Sequence, residues 1–194
     1  MRCVAGFHRG GDQVLLVVGD GRSEEKVLTW VAPLFDGSST SIAYPSPPPL
    51  RRRLTGLSAL ESLIALLDQG FEVKYVLFVL DREHLSSLNE VCEWLAEHGF
   101  TVVKEEEGVE GRAARLRLAR GHKLLTLYLA IMGRERRLEE EVEEFNVKVL
   151  GLRTGRLRKE AFARSTRRDV EECFKALAWA LRDIEHRLSQ AARP

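Results

Sequence analysis

The chain has 194 residues, a formal net charge of +1, 44% hydrophobic residues and 30% charged residues. This length suits one substantial domain with an appendage, and this composition indicates a globular protein with a hydrophobic core. No apolar run approaches ~18 residues, which argues against a membrane-spanning helix, and the first residues lack the apolar stretch of a signal peptide. We therefore expect a cytoplasmic protein with no membrane partner.

The cysteines Cys3, Cys92 and Cys173 are odd in number and lie far apart. Their spacing argues against a disulfide framework and against a zinc site. Arginine outnumbers lysine, while asparagine and glutamine are scarce. This composition is typical of thermophilic proteins, although an excess of arginine alone also follows from genome composition.

The first 35 residues are predicted to form an antiparallel meander of three strands. Apolar runs over residues 3–7 and 13–18 flank an Arg-Gly-Gly-Asp sequence that favours a hairpin turn. The third strand is predicted over residues 26–33. Residues 36–56 follow as a mobile loop rich in proline and arginine, because proline fixes φ and lacks a backbone donor.

Two near-identical junctions, residues 69–73 and 98–102, each join an amphipathic helix to an apolar strand through a Gly-Phe pair. Glycine just past a helix end takes the left-handed conformation at low cost, so the chain can turn back onto a sheet. Two such units in series predict parallel strands. The fold class is therefore α/β, with a mixed sheet in which the meander precedes helix–strand–helix–strand units.

Residues 114–131 fit a strand by alternation and a helix by composition, and we favour a hairpin that turns at Gly121 and His122. A charged helix over residues 134–145 and a short strand over 146–152 are predicted next. These elements complete a core domain over residues 1–152. Residues 153–194 are predicted to add a basic connector and a long C-terminal amphipathic helix that begins at Thr166.

The C-terminal helix carries a heptad seam from Val170 to Leu188, with Trp179 on the opposite side. The seam can pack against a second copy, which would give a homodimer, or against the sheet of its own chain. A large aromatic opposite the seam favours a protein partner, since tryptophan is enriched at interfaces. A protein-interaction subunit is therefore one candidate function, and its interaction residues are Phe174, Leu177, Trp179 and Leu181.

Acidic residues follow the apolar strand at residues 74–80, at the end where α/β sheets usually bind ligands. Asp81 and Glu83, assisted by Glu61, are candidate catalytic residues of a metal-dependent nuclease, the one hypothesis that calls for Mg²⁺. The alternative is structural: Asp81 caps a helix and Glu83 is solvated.

The order of elements over residues 1–104 resembles the ribonuclease-H-like fold. Its catalytic members carry acids on the first strand, on the first helix and near the end of the fourth strand. Glu61 and Asp81 stand at places similar to the last two, but the first strand has no acid, so the resemblance implies a non-catalytic relative. The sequence Asp81-Arg82-Glu83 also resembles the paired acids of a Toprim site, although residues 17–20 lack the glutamate that this family places before glycine.

Basic residues are densest in three stretches, one of which is residues 112–123. Guanidinium groups match phosphate geometry, so non-enzymatic binding of nucleic acid, either DNA or RNA, is the principal predicted function. The alternative is that the arginines pair with the many glutamates on the surface. The candidate binding residues are Arg51, Arg52, Arg53, Arg153, Arg156, Arg158, Lys159 and Arg164.

Overall fold

The computed structural model describes residues 1–7, 13–19, 21–36, 40–45, 54–85 and 87–191. Within these ranges, strands and helices alternate as the α/β class predicts. The strands are β1 (Arg2–Val4), β2 (Val14–Val18), β3 (Ser41–Ala43), β4 (Tyr75–Asp81), β5 (Thr101–Glu107), β6 (Ala113–Arg120) and β7 (Lys123–Met132). The helices are α1 (Arg22–Val31), α2 (Glu61–Asp68), α3 (Leu88–Glu97), α4 (Leu138–Leu150), α5 (Lys159–Arg164), α6 (Arg167–Cys173) and α7 (Lys175–Ala191).

The described strands form one mixed sheet in the order β1-β3-β2-β4-β7-β6-β5. The five strands from β1 to β7 in this order are parallel, whereas β6 runs antiparallel to both β7 and β5. Strands β4 and β7 are almost wholly apolar and buried, as parallel strands covered on both faces must be. Helices α1, α4, α6 and α7 pack on one face, and α2 and α3 pack on the other.

The predicted antiparallel meander is wrong. Residues 26–33 begin within α1 rather than in a strand, because Val27, Leu28 and Val31 are spaced to face the sheet from one side of a helix. The strands before and after α1 are parallel, since a helix returns the chain to the edge at which it started. The predicted loop over residues 36–56 also contains a strand, β3, which is too short to stand out between its serine, threonine and proline neighbours.

The predicted junctions and hairpin are confirmed. Gly70 and Gly99 lie in the left-handed region at φ 81° and 80°, and the strands β4 and β5 that follow them run in the same direction. Strands β6 and β7 form a hairpin that turns at Gly121 and His122. The short strand predicted over residues 146–152 is wrong, because α4 continues to Leu150.

The heptad seam packs on the chain's own sheet. Phe174, Leu177 and Leu181 are at most 1% exposed, and α7 lies across β6 and β7. The helix is interrupted at Phe174, so the seam is divided between α6 and α7. Trp179 is half-buried against Gly108, where a Cβ atom would lie 2.7 Å from the indole ring. Of the two packings that the sequence left open, this structure has the intramolecular one.

In the ranges that the structure describes, no helix is long and apolar enough to cross a membrane.

A buried ion pair joins the hairpin to α4. The Arg112 guanidinium donates to Glu141 Oε1 at 2.6 Å, and the two side chains are 5% and 0% exposed. The same Nη1 atom also donates to the Gly133 carbonyl at 3.2 Å. The pair therefore holds the start of β6, the end of β7 and the first turn of α4 together.

We predict that Glu141→Ala lowers the free energy of unfolding by about 3–5 kcal/mol, because the buried Arg112 charge then keeps only the exposed Glu110 carboxylate, at 3.3 Å, as an ionic partner. Equilibrium urea unfolding measures this loss. Glu143→Ala is the matched control on the same helix, since Glu143 pairs with Arg153, which is 88% exposed, and surface pairs contribute at most about 1 kcal/mol. Equal losses in the two variants would contradict a structural role for the buried pair.

Candidate nucleic-acid interface

A crevice is expected where β2 and β4 end side by side. Helix α1 leaves β2 on one face of the sheet and leads to β3, whereas α3 leaves β4 on the other face and leads to β5. Ligands of α/β proteins bind where two neighbouring strands are followed by helices on opposite faces of the sheet, beyond the carboxyl ends of the strands. Gly19 allows the close approach here, because a Cβ atom on it would lie 2.6 Å from that of Leu80. We call this end of the sheet the carboxyl edge.

Asp81 is the last residue of β4 and is only 4% exposed. Its Oδ1 atom accepts a hydrogen bond of 3.2 Å from the backbone N–H of Leu138, the first residue of α4. A carboxylate at a helix start satisfies a free backbone donor and stabilises the helix dipole. Asp81 therefore anchors the start of α4 at the carboxyl edge.

Of the other two candidate catalytic residues, Glu83 also contacts the start of α4, whereas Glu61 lies apart from it. Glu83 is exposed and accepts a hydrogen bond of 2.8 Å from Arg137, which holds the pKa of this carboxyl below its usual range. Glu61 is exposed at the first residue of α2, on the opposite face of the sheet from α4. Among the described residues, no three His, Cys, Asp or Glu side chains form a group that could hold a metal ion. The metal-dependent nuclease stays a prediction.

The connector, residues 153–165, folds back along α4. The buried Asn146 side chain donates from Nδ2 to the carbonyl of Thr154 at 2.7 Å and to that of Arg156 at 2.9 Å. Gly155 lies so close to the first turn of α4 that a Cβ atom on it would be 3.0 Å from the Glu139 carbonyl oxygen. The connector therefore returns to the end of α4 that Asp81 anchors.

Aromatic contacts then fix α5, which forms the second half of the connector. The Phe162 ring lies 4.9 Å from that of Trp30 on α1 and 4.6 Å from that of Phe145 on α4, measured between centroids. Ala161 is also fully buried, so two adjacent residues attach this short helix to the core. The charged residues of α5 are left on the outer side.

The connector's cations are exposed and mostly unpaired. Arg153 pairs with Glu143 at 2.8 Å. The other four basic residues form no ion pair with any described residue, and they are Arg156, Arg158, Lys159 and Arg164. Their charges therefore face solvent without a neutralising partner.

Arginines in other basic stretches behave differently. In the stretch 112–123, three of the arginines pair with acids, as the structural alternative predicts. The pairs of the described arginines outside the connector include Arg112–Glu141, Arg115–Asp183, Arg120–Asp68, Arg134–Glu144, Arg137–Glu83, Arg167–Glu185 and Arg168–Glu172. The predicted binding residues Arg51, Arg52 and Arg53 lie outside the described residues.

A groove of about 770 Å³ runs between the outer side of α4 and the start of the connector. Half of its lining residues are glutamates, namely Glu135, Glu140, Glu143 and Glu144. The lining also contains Arg134 and Arg153, which pair with Glu144 and Glu143. The groove therefore has an excess of two acidic residues, which is less favourable for an anion than the other flank of the connector, towards α1.

Sequence reasoning misses two cations on that flank. Arg22 and Lys26 are exposed on α1 and form no ion pair with a described residue. Sequence reasoning does not identify Arg22 and Lys26 because it predicts a strand over residues 26–33 instead of a helix. The signal that could have found them is the helical spacing of Val27, Leu28 and Val31, which places positions 22 and 26 together on the outer face.

No family model, no curated protein and no solved structure matches this chain. The resemblances to the ribonuclease-H-like fold and to a Toprim site therefore stay predictions.

We predict that Asp81→Ala lowers the free energy of unfolding by about 1–2 kcal/mol more than Asp81→Asn, because the asparagine side-chain oxygen can still accept from Leu138. Urea unfolding of both variants measures the difference. Identical stabilities would show that the cap on α4 is not what Asp81 provides.

A separate experiment tests the nuclease hypothesis. A Mg²⁺-dependent cleavage of DNA or RNA that Asp81→Asn abolishes would support it.

Proposed function

We propose that this protein binds nucleic acid through the phosphate backbone, with the connector as its principal contact surface. The observation that carries the proposal is the group of four exposed cations that pair with no acid in the described part of the chain, Arg156, Arg158, Lys159 and Arg164. Exposed cations without partners project their field into solvent, where it attracts a polyanion. The ion-paired arginines elsewhere are largely neutralised and contribute little to this field.

The spacing of these cations suits a chain of phosphates. The segment from Arg156 to Arg164 spans at most about 20 Å, from ~1.5 Å per helical residue and ~3.3 Å per extended residue. Phosphates along one strand of a duplex are spaced by ~3.4 Å on the helix axis, so this length covers about six of them, which is enough for each of the four cations to contact one. Three of the four cations are arginines, whose planar fork matches two phosphate oxygens at once.

Because the connector is held to α4 by Asn146 and to α1 by Phe162, the backbone that carries its cations is already ordered before binding. A pre-arranged surface loses less conformational entropy on binding. This favours direct recognition by a folded surface over folding upon binding.

We predict that the chain binds a short DNA or RNA with an affinity that falls steeply as salt rises. The quadruple change Arg156→Ala, Arg158→Ala, Lys159→Ala and Arg164→Ala should reduce the slope of log K against log salt by about 3 to 4 on duplex DNA, at ~0.9 per lost phosphate contact. Fluorescence anisotropy titrations across about 50–200 mM salt measure this slope.

Lys104→Ala with Arg117→Ala is the control. These exposed cations face each other on β5 and β6, and β4 and β7 separate them from β2. The control variant should bind like the unchanged chain. Absence of binding at low salt, or an affinity that salt does not affect, would overturn the proposed function.

A further inference from the structure

Two positive charges on the outer face of α1 are unfavourable for the stability of this helix. Arg22 is the first residue of the helix, where the dipole disfavours a positive charge. Lys26 lies four residues later on the same face, so the two like charges repel each other. Neither forms an ion pair with a described residue, although the chain pairs most of its described arginines elsewhere. Local choices that oppose stability are expected at functional surfaces.

The connector carries its own cations along a path that joins α4 to α1. Helices α1 and α4 both begin at the carboxyl edge, because each follows a parallel strand. The connector reaches the first turn of α4 at Gly155, and α5 starts four residues later. Helix α5 then packs against both α1 and α4, through Trp30 and Phe145. Trp30 lies in the last turn of α1, so the connector runs from the start of α4 to the end of α1, and Arg22 and Lys26 lie along α1 between that contact and the carboxyl edge.

Charge distinguishes the two flanks of the connector. On the α4 flank lies the groove, which is lined by four glutamates and two arginines and so has an excess of acidic residues. On the α1 flank lie the exposed cations Arg22 and Lys26. A bound polyanion that leaves the connector is repelled on the first flank and attracted on the second.

We infer that Arg22 and Lys26 of α1 are further phosphate-binding residues, which extend the nucleic-acid surface from the connector across α1 towards the carboxyl edge. This inference rests on the proposed function and adds the path of the bound nucleic acid, which runs over α1 and not over the outer side of α4. The two residues contact phosphates and carry no base specificity.

The test uses the full chain with Arg22→Ala and Lys26→Ala together. Because two phosphate contacts are lost, the salt slope on a short duplex DNA should fall by about 1.8, and by about 1.4 on a single strand. The expected affinity loss at low salt is similar for unrelated sequences. Lys104→Ala with Arg117→Ala removes the same charge from β5 and β6, and it should leave the slope unchanged.

A thermal unfolding scan of the same variant separates binding from folding. Alanine removes the like-charge repulsion and favours helix, so the midpoint should stay the same or rise while binding weakens. If the unchanged chain binds and the quadruple connector variant does not, but the α1 variant matches the control, the inference is overturned and the proposed function stands. If the unchanged chain binds no nucleic acid, both are overturned.

Discussion

The position of the connector depends on one buried amide. Asn146 donates two hydrogen bonds from the middle of α4 to the carbonyls of Thr154 and Arg156, and its side chain is shielded from water. A buried amide that loses its hydrogen-bond acceptors carries a desolvation penalty, so this contact favours the folded-back path. The closeness of Gly155 to Glu139 and the seating of Phe162 between aromatic rings both follow from that path. Helix α4 in turn begins where Asp81 fixes its first residue.

Charge in this protein is distributed more unevenly than its net charge of +1 suggests. Most of the described arginines outside the connector are held by acids, and the pair between Arg112 and Glu141 is almost completely buried. Since paired charges cancel at a distance, the remaining unpaired cations dominate the local field. Among the described residues, six of them lie on the connector and on α1, whereas Lys104 and Arg117, which also form no ion pair, lie on β5 and β6 at the other end of the strand order. The proposed surface is therefore defined by which charges lack partners, and not by where arginine is densest.

Much of the fold could be predicted from local signals, and the exceptions have physical causes. The junctions at Gly70 and Gly99 and the turn at Gly121 were predictable because each needs a left-handed residue between strong elements. Helix α1 was mistaken for a strand because its apolar residues lie in a short window where both periods fit. Pairing of Arg112 with Glu141 joins residues far apart in the sequence, so no local pattern reveals it. Local patterns are also insufficient for the candidate site. The density of basic residues in the sequence predicts the connector residues, but it does not identify Arg22 and Lys26.

The most direct test of this account changes a residue that has no charge. Asn146→Ala should weaken nucleic-acid binding about tenfold or more while leaving the salt slope unchanged, because freed connector residues must be reordered at about 1–2 kcal/mol each. Anisotropy titrations give both quantities, and circular dichroism checks that the variant is folded. Asn89→Ala, at an exposed position on α3, is the matched control. If Asn146→Ala binds as tightly as the unchanged chain, a connector held in place by this amide is not the binding surface.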